Sequence, residues 1–241
     1  MDGDLILYDS ARSTCSLRVR LALAAKGLRF TERALRLDRD EQLSPEYLAL
    51  NPNGLVPTLL HGGNVVVESS VINEYLDDVF PEQPLRPGDA LVRATMRTWV
   101  TYFDEVMMPA VRYLSFQHFY LAQIQSRSAQ ARRRFADTLP LRKGFWLEMG
   151  DNGFTESRLA LEQERIDQVL RRMNASLERG QWLAGSSMSL ADIAVLPAIV
   201  RLEDLGLSDR WKSMSALADW YLRMQHLPAF ALAYYAGSRF T

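Results

Sequence analysis

Three short stretches near the N-terminus carry side chains whose types and spacing suit one kind of chemistry, the holding of an anion beside a helix end. In Tyr8-Asp9-Ser10-Ala11-Arg12-Ser13-Thr14-Cys15-Ser16, small hydroxyls and the chain's one cysteine precede a helical pattern. Unpaired N–H groups and the dipole make a helix N-terminus favour negative charge. The anion can be the Cys15 thiolate or one carried by a ligand, and the hydroxyls can equally serve as plain helix caps. In Asn51-Pro52-Asn53-Gly54-Leu55-Val56-Pro57-Thr58 a proline opens a strand pattern, a position that suits a sheet edge or a cis bend. A cis Val56–Pro57 bond would turn the Val56 N–H and C=O outward, free to pair with an extended peptide. Val67-Glu68-Ser69-Ser70 precedes an amphipathic pattern. Ser69 or Ser70 is expected to cap that helix, whose start could also hold a carboxylate.

The elements that must position these stretches follow from hydrophobic periodicity. Residues 5–8 form an apolar run before a turn-rich stretch and read as a buried strand. Leu17, Leu21, Ala24 and Leu28 mark a helix that Gly27 stops. Residues 30–37 read as a second strand. Residues 56–60 and 65–67 flank His61-Gly62-Gly63-Asn64 and read as a hairpin. Val71, Ile72, Tyr75, Leu76 and Val79 form one helical stripe. The order β-α-β-(α)-β-β-α predicts a small mixed sheet covered by helices. Residues 81–88 hold three prolines and read as a linker. Beyond it only helical periodicity remains, with a stripe at Ile166, Val169, Leu170, Met173 and Leu177 and another at Leu190, Ile193, Ala194 and Leu196. The second opens on Ser189-Leu190-Ala191-Asp192, a capping box. Residues 139–154, with Gly144, Gly150 and Gly153, are expected to form a long loop.

The 241 residues are 48% hydrophobic and 24% charged, ordinary usage for a soluble chain large enough for one or two cores. A net charge of −1 gives no electrostatic reason to expect nucleic acid or an anionic membrane as partner. The basic runs Arg132-Arg133-Arg134 and Arg171-Arg172 read as solvated helix faces. Met1-Asp2-Gly3-Asp4 is acidic and leads into the first strand, so no signal peptide is expected. No segment approaches the ~20 apolar residues that span a bilayer. One cysteine excludes an internal disulfide and fits a cytoplasmic setting, and three scattered histidines show no metal-ligand spacing.

Taken together, these motifs resemble the cytosolic glutathione S-transferase family. Arg12-Ser13-Thr14-Cys15-Ser16-Leu17-Arg18-Val19-Arg20-Leu21-Ala22-Leu23 is similar to the zeta class, which carries Ser-Ser-Cys before an Arg-Val-Arg helix, with Thr14 here in place of the second serine. Asn51-Pro52, Val56-Pro57, Glu68-Ser69, the proline-rich linker and the Ser189/Asp192 box match the family as well. The resemblance covers nearly the whole chain except about residues 116–155. It implies a thioredoxin-like α/β domain over residues 1–82, a linker over 83–90 and an all-α helical domain over 91–241 that supplies the second substrate's pocket. It further implies glutathione as co-substrate, a homodimer and a role in detoxification.

On matching positions, the resemblance implies that Ser13 donates a hydrogen bond to the glutathione sulfur, with Thr14 beside it. Val56 would pair with the cysteinyl unit through its backbone, Pro57 being cis. Glu68 and Ser69 would hold the γ-glutamyl amine and carboxylate. Leu55 stands where zeta enzymes carry Gln, which removes one polar contact to the peptide. A free thiol has a pKa near 8.5, and lowering it by two units costs about 2.7 kcal/mol. One charge-assisted hydrogen bond plus a helix N-terminus supply energy of that order. Two rivals share the role: Cys15, through thiol–disulfide or deglutathionylation chemistry, and Tyr8, where other classes place a catalytic tyrosine. A non-catalytic glutathione-transferase-like binding protein is the third possibility.

The substrate side points two ways. Zeta-type proteins are maleylacetoacetate isomerases, in which the thiolate adds to a double bond and later leaves. The run from Glu68 to Glu82 and Asn152-Gly153-Phe154 are similar to bacterial β-etherase-type transferases, which cleave aryl ethers by glutathione attack. The acceptor pocket is expected from Trp99, Tyr102, Phe103, Met107, Tyr113, Phe116, His118 and Phe119, and an aromatic wall suits a hydrophobic or aryl electrophile. Asp104 resembles an acid that in some classes reaches the γ-glutamyl amine across the dimer.

Overall fold

Leu5 and Leu7 turn inward along the first strand while Ile6 and Tyr8 lie half-buried, the alternation of a strand with one covered face. In the computed structural model, which describes residues 3–240, this is β1 (Leu5–Asp9). Met1 and Asp2 of the acidic start, and Thr241, lie outside the described residues. β1 pairs in parallel with β2 (Thr31–Ala34) and antiparallel with β3 (Thr58–His61), which pairs antiparallel with β4 (Asn64–Val67). The mixed sheet therefore runs β2-β1-β3-β4. β2 is shorter than the expected 30–37, because residues 37–39 coil into a helical turn. The hairpin closes through Gly62 and Gly63, both at positive φ (55° and 82°), as a two-residue turn between twisted strands requires.

Three helices complete this half: α1 (Thr14–Ala25), α2 (Pro45–Leu50) and α3 (Ser69–Val79). Ser44 caps α2, and Gly27 follows α1 at φ 65°. α3 differs from expectation at its start. Glu68, not a serine, occupies the cap position and makes no side-chain cap bond, Ser69 is the first helical residue, and Ser70 donates instead to Asp104 at 2.6 Å.

The rest of the chain is helical. α4 (Ala90–Tyr102), α5 (Met108–Ser115) and α6 (Leu121–Gln125) run on through two wide turns, Phe103–Met107 and Phe116–Tyr120. Pro109 follows the first of these, where Met108 N–H reaches back five residues to Phe103 O. α7 (Ala129–Asp137) and α8 (Lys143–Met149) come next, so the loop expected over 139–154 contains a helix. Phe145 and Trp146 of α8 pack on Tyr113, Phe116 and Phe135 with ring centroids 4.9–5.7 Å apart. Aromatic packing rather than amphipathic period holds so short a helix.

α9 (Glu156–Leu177) buries the expected stripe, and α10 (Leu190–Asp204) runs through the core, buried from Leu190 to Leu202. Its Ser189/Asp192 capping box forms as expected. α11 (Ser215–Gln225) and α12 (Pro228–Ala233) close the chain against α9 and α1. Arg133, Arg134, Arg171 and Arg172 are exposed, whereas Arg132 is half-buried beside Asp151. No helix among the described residues is long and apolar enough to cross a membrane.

Candidate functional site

The site begins at the entry to α1. Ser13 has extended backbone (φ −74°, ψ 121°), and its Oγ accepts the Ser16 N–H at 3.2 Å. An oxygen that accepts through a lone pair keeps its own proton, so the hydroxyl remains able to donate to a neighbouring anion. No acidic residue lies in the first turn of α1 to offset the dipole. Thr14 and Cys15 are the first two residues of the helix, and Cys15 is half-buried against the main core.

Across from α1, the loop before β3 is held rigid by a buried polar knot. The Leu55 carbonyl accepts from Tyr47 Oη at 2.6 Å and Asn51 Nδ2 at 2.9 Å, and both donors also reach Thr58 Oγ1. Gly54, at φ 61°, lets the chain pass Leu43, where an added Cβ would sit 2.9 Å from that side chain. The Val56–Pro57 peptide is cis. Among the described residues, the Val56 N–H and C=O make no backbone hydrogen bond outside the ladders. Glu68 sits at φ 69°, ψ 116°, a conformation few non-glycine residues enter. It costs on the order of 1–3 kcal/mol, and such outliers gather at ligand clamps. With no side chain capping α3, its first N–H groups stay open to an external carboxylate.

Ser13, Thr14, Cys15, Leu55 and Val56 line one cavity of about 220 Å³ between the sheet domain and the helices. Glu68 and Ser69 lie outside its lining, as do Pro57 and Asp104. Asp104 is engaged within its own chain, by Arg18 and by Ser70. Tyr8 packs 5.8 Å from Tyr47 and does not line the cavity. Of the aromatics expected in the acceptor wall, only Phe116 takes that place. Trp99, Phe103 and Met107 are core residues exposed by 6% or less, Tyr113 packs against Phe145 and Phe154, and Phe119 stacks on Phe240 at 3.9 Å. The helix turns those faces inward because α4 and α5 bury one side against α9 and α10.

The wall is built instead by Met108, Val111, Phe116, Tyr120, Phe135 and Trp146. Burial pushes the Tyr120 phenol above its ordinary range, so it stays protonated and can donate. Two arginines complete it, Arg112 from α5 and Arg142 just before α8. Desolvation lowers both guanidiniums, Arg142 to about 10 with Arg112 adding to the shift, yet both remain charged at neutral pH. Arg142, Phe135 and Trp146 were not legible in the sequence, because no motif or clear hydrophobic period surrounds them and residues 139–154 read as loop. Among the described residues no group of three His, Cys, Asp or Glu side chains is placed to hold a metal ion.

The sequence matches the family descriptions "Glutathione S-transferase, N-terminal domain" over residues 12–79 and "Glutathione S-transferase, C-terminal domain" over residues 138–228. It is 34% identical over 194 residues to protein LigF of a Sphingobium species, covering 78% of this chain and 75% of that protein. It is 32% identical to maleylacetoacetate isomerase of Pseudomonas aeruginosa over 96% of both chains. The crystal structure of the beta-etherase LigF superposes with a TM-score of 0.86 at 31% identity, over 94% of this chain and 96% of the other. By these matches, and with its mixed sheet, its cis Val56–Pro57 peptide and its helical second half, the chain belongs to the glutathione S-transferase family.

Proposed function

We propose that the protein is a glutathione-dependent enzyme that ionises the glutathione thiol at the start of α1 and directs it at a small electrophile in the cavity, by conjugation, ether cleavage or isomerisation. One observation carries this reading: Ser13 Oγ accepts from Ser16 N–H and so keeps its proton for a sulfur anion, at the lip of a cavity lined by Val56. The residues present suit the tripeptide. The open Val56 amide and carbonyl can pair with the cysteinyl unit. The uncapped start of α3, with Glu68 and Ser69, can take the γ-glutamyl carboxylate and amine. Asp104, fixed beside Ser70, lies close to that end.

Ser13 and the α1 dipole then favour the thiolate over the thiol, while the apolar wall excludes water from the reacting atoms. Tyr120 can donate to an oxygen that gains charge as a bond to it breaks. In the LigF-like branch that oxygen belongs to an aryl ether, and in the isomerase-like branch the sulfur adds and departs. The domain limits 1–82 and 91–241, a homodimer and a cytoplasmic setting belong to the same reading, and sedimentation equilibrium tests the dimer.

The deciding experiment pairs calorimetry with turnover. Purified protein should bind glutathione at millimolar supply and act on at least one of an aryl halide, a maleyl compound or a β-aryl ether. Ser13→Ala should lower kcat by roughly 10²–10³-fold with glutathione affinity little changed, as loss of one anion-stabilising donor does. Full activity in that variant removes Ser13 from the mechanism, and absence of glutathione binding defeats the reading altogether.

A further inference from the structure

Arg112 and Arg142 both line the cavity, come from different elements, and lie close enough to affect each other's charge. Neither makes a side-chain hydrogen bond or an ion pair among the described residues. The other charged groups of the lining are already engaged. Asp40 pairs with Arg127 at 3.1 Å, Asp38 with Arg36 at 2.8 Å, and Arg201 donates to Arg12 O at 2.5 Å. Val111, Phe116 and Trp146 supply apolar wall beside the two guanidiniums. Glu68 acts on Arg142 from a distance without forming an ion pair, and bringing two cations together in a partly desolvated pocket with no directly paired acid is unfavourable for the empty protein. It becomes favourable when an anion enters, and a planar guanidinium fork matches a carboxylate.

We propose that Arg112 and Arg142 form an anion-binding subsite for a carboxylate borne by the electrophilic substrate, so that the preferred acceptor is a small organic acid with an apolar or aryl body. The inference rests on the glutathione reading above, and it adds what that reading leaves open. Glutathione itself brings carboxylates, but its expected anchors, Val56 and the start of α3, stand on the sheet domain. The arginines belong to the helical wall instead: both act on Cys15, at the end of the cavity where the sulfur would sit, and Arg142 also feels Glu68 at the start of α3. The aromatic groups next to them would hold the acceptor's body while its carboxylate is fixed, and this orients the electrophilic atom toward the sulfur.

Calorimetry with two product analogues tests this without requiring turnover: S-(4-carboxy-2-nitrophenyl)glutathione and its methyl ester on the aryl carboxyl, with glutathione alone as a third ligand. The wild type should bind the acid at least about tenfold more tightly than the ester. Arg112→Gln and Arg142→Gln should each remove most of that preference while leaving the ester and glutathione affinities within about twofold, which also shows that the variants are folded. Arg112→Lys should retain part of the preference. Equal affinity of acid and ester in the wild type overturns the proposal, as does a preference untouched by both Gln variants. A loss of affinity for glutathione alone, equal to the loss for the acid, assigns the pair to the tripeptide's glycyl carboxylate and also overturns it. If none of the three ligands binds, it is the glutathione reading that fails.

Discussion

At the scale of single residues, Ser13 and Cys15 lie two positions apart on the same helix start, and both line the cavity. Geometry alone therefore leaves a mixed disulfide sterically open to Cys15, and chemistry separates the two. If Ser13 carries the reaction, Cys15→Ser should keep turnover with glutathione within about threefold. Mass spectrometry after exposure to oxidised glutathione then measures whether Cys15 also accepts a glutathionyl group by thiol–disulfide exchange. A loss of a hundredfold or more in Cys15→Ser would move the working sulfur to the protein. The Ser13 hydroxyl was legible as a candidate from its place before a helical pattern. Its hydrogen bond from Ser16 N–H was not, because it exists only once α1 has formed.

At the scale of elements, α10 shows how much one carboxylate can organise. Asp192 is fully buried and accepts from Ser189 N at 2.9 Å, Ser189 Oγ at 3.1 Å, Leu183 N at 3.1 Å and Trp220 Nε1 at 2.9 Å. It thereby joins the start of α10 to the loop before it and to α11. Asp192→Ala leaves several buried donors without partners and should destabilise by about 3 kcal/mol or more, read from urea midpoints. Ser189→Ala removes the cap bond from Ala191 N and one of the four donors to Asp192, and should cost about 1–2 kcal/mol. Equal, small effects would show that water replaces the lost acceptor. The capping box was readable from four residues, whereas the bond to Trp220 joins positions 28 apart and was not. α8 marks the opposite limit. Its seven residues include Gly144 and have no side-chain cap, so neither propensity nor period announces it.

At the scale of the whole molecule, buried charges tie the sheet half to the helical half. Arg18 of α1 is 1% exposed, donates to Ala194 O in α10 at 2.6 Å and pairs with Asp104. Arg20 donates to Asp9 and to Tyr235 near the C-terminus, both at 2.9 Å. The proline-rich segment after α3 is pinned by Asp77, which accepts from Lys26 Nζ at 2.8 Å, Leu85 N at 2.7 Å and Arg86 Nε at 3.0 Å. Burial alone would raise the Asp77 carboxyl, but these donors outweigh it and hold it below its ordinary value of 3.8. A carboxyl lowered in the folded state adds stability above its unfolded pKa, and that stability fades as pH falls through the folded value. Asp77→Asn should therefore cost about 3 kcal/mol at pH 7, chiefly by stranding the buried Lys26 charge. The gap to wild type should hold down to about pH 5 and narrow below 3.8, followed by denaturant melts at each pH. A gap that stays equal at pH 3 would show that shape rather than charge is what Asp77 supplies.

The strand and helix order of the first eighty residues, the Gly62-Gly63 turn, the capping box, the stripe on α9 and the small side chains at the entry to α1 are all local in sequence. Each depends on periodicity or on side chains within a few positions, so each could be read without knowledge of what packs where. The acceptor wall is different. Residues from α5, the Phe116–Tyr120 turn, α7 and the approach to α8 meet only after distant helices pack, and that packing turned Trp99, Phe103 and Met107 into core while bringing Arg112 to Arg142. Which face of a long helix looks into a cavity is set by its neighbours. For that reason the candidate residues at the entry to α1 and before β3 could be picked out from the chain, and the two arginines of the cavity wall awaited the tertiary structure.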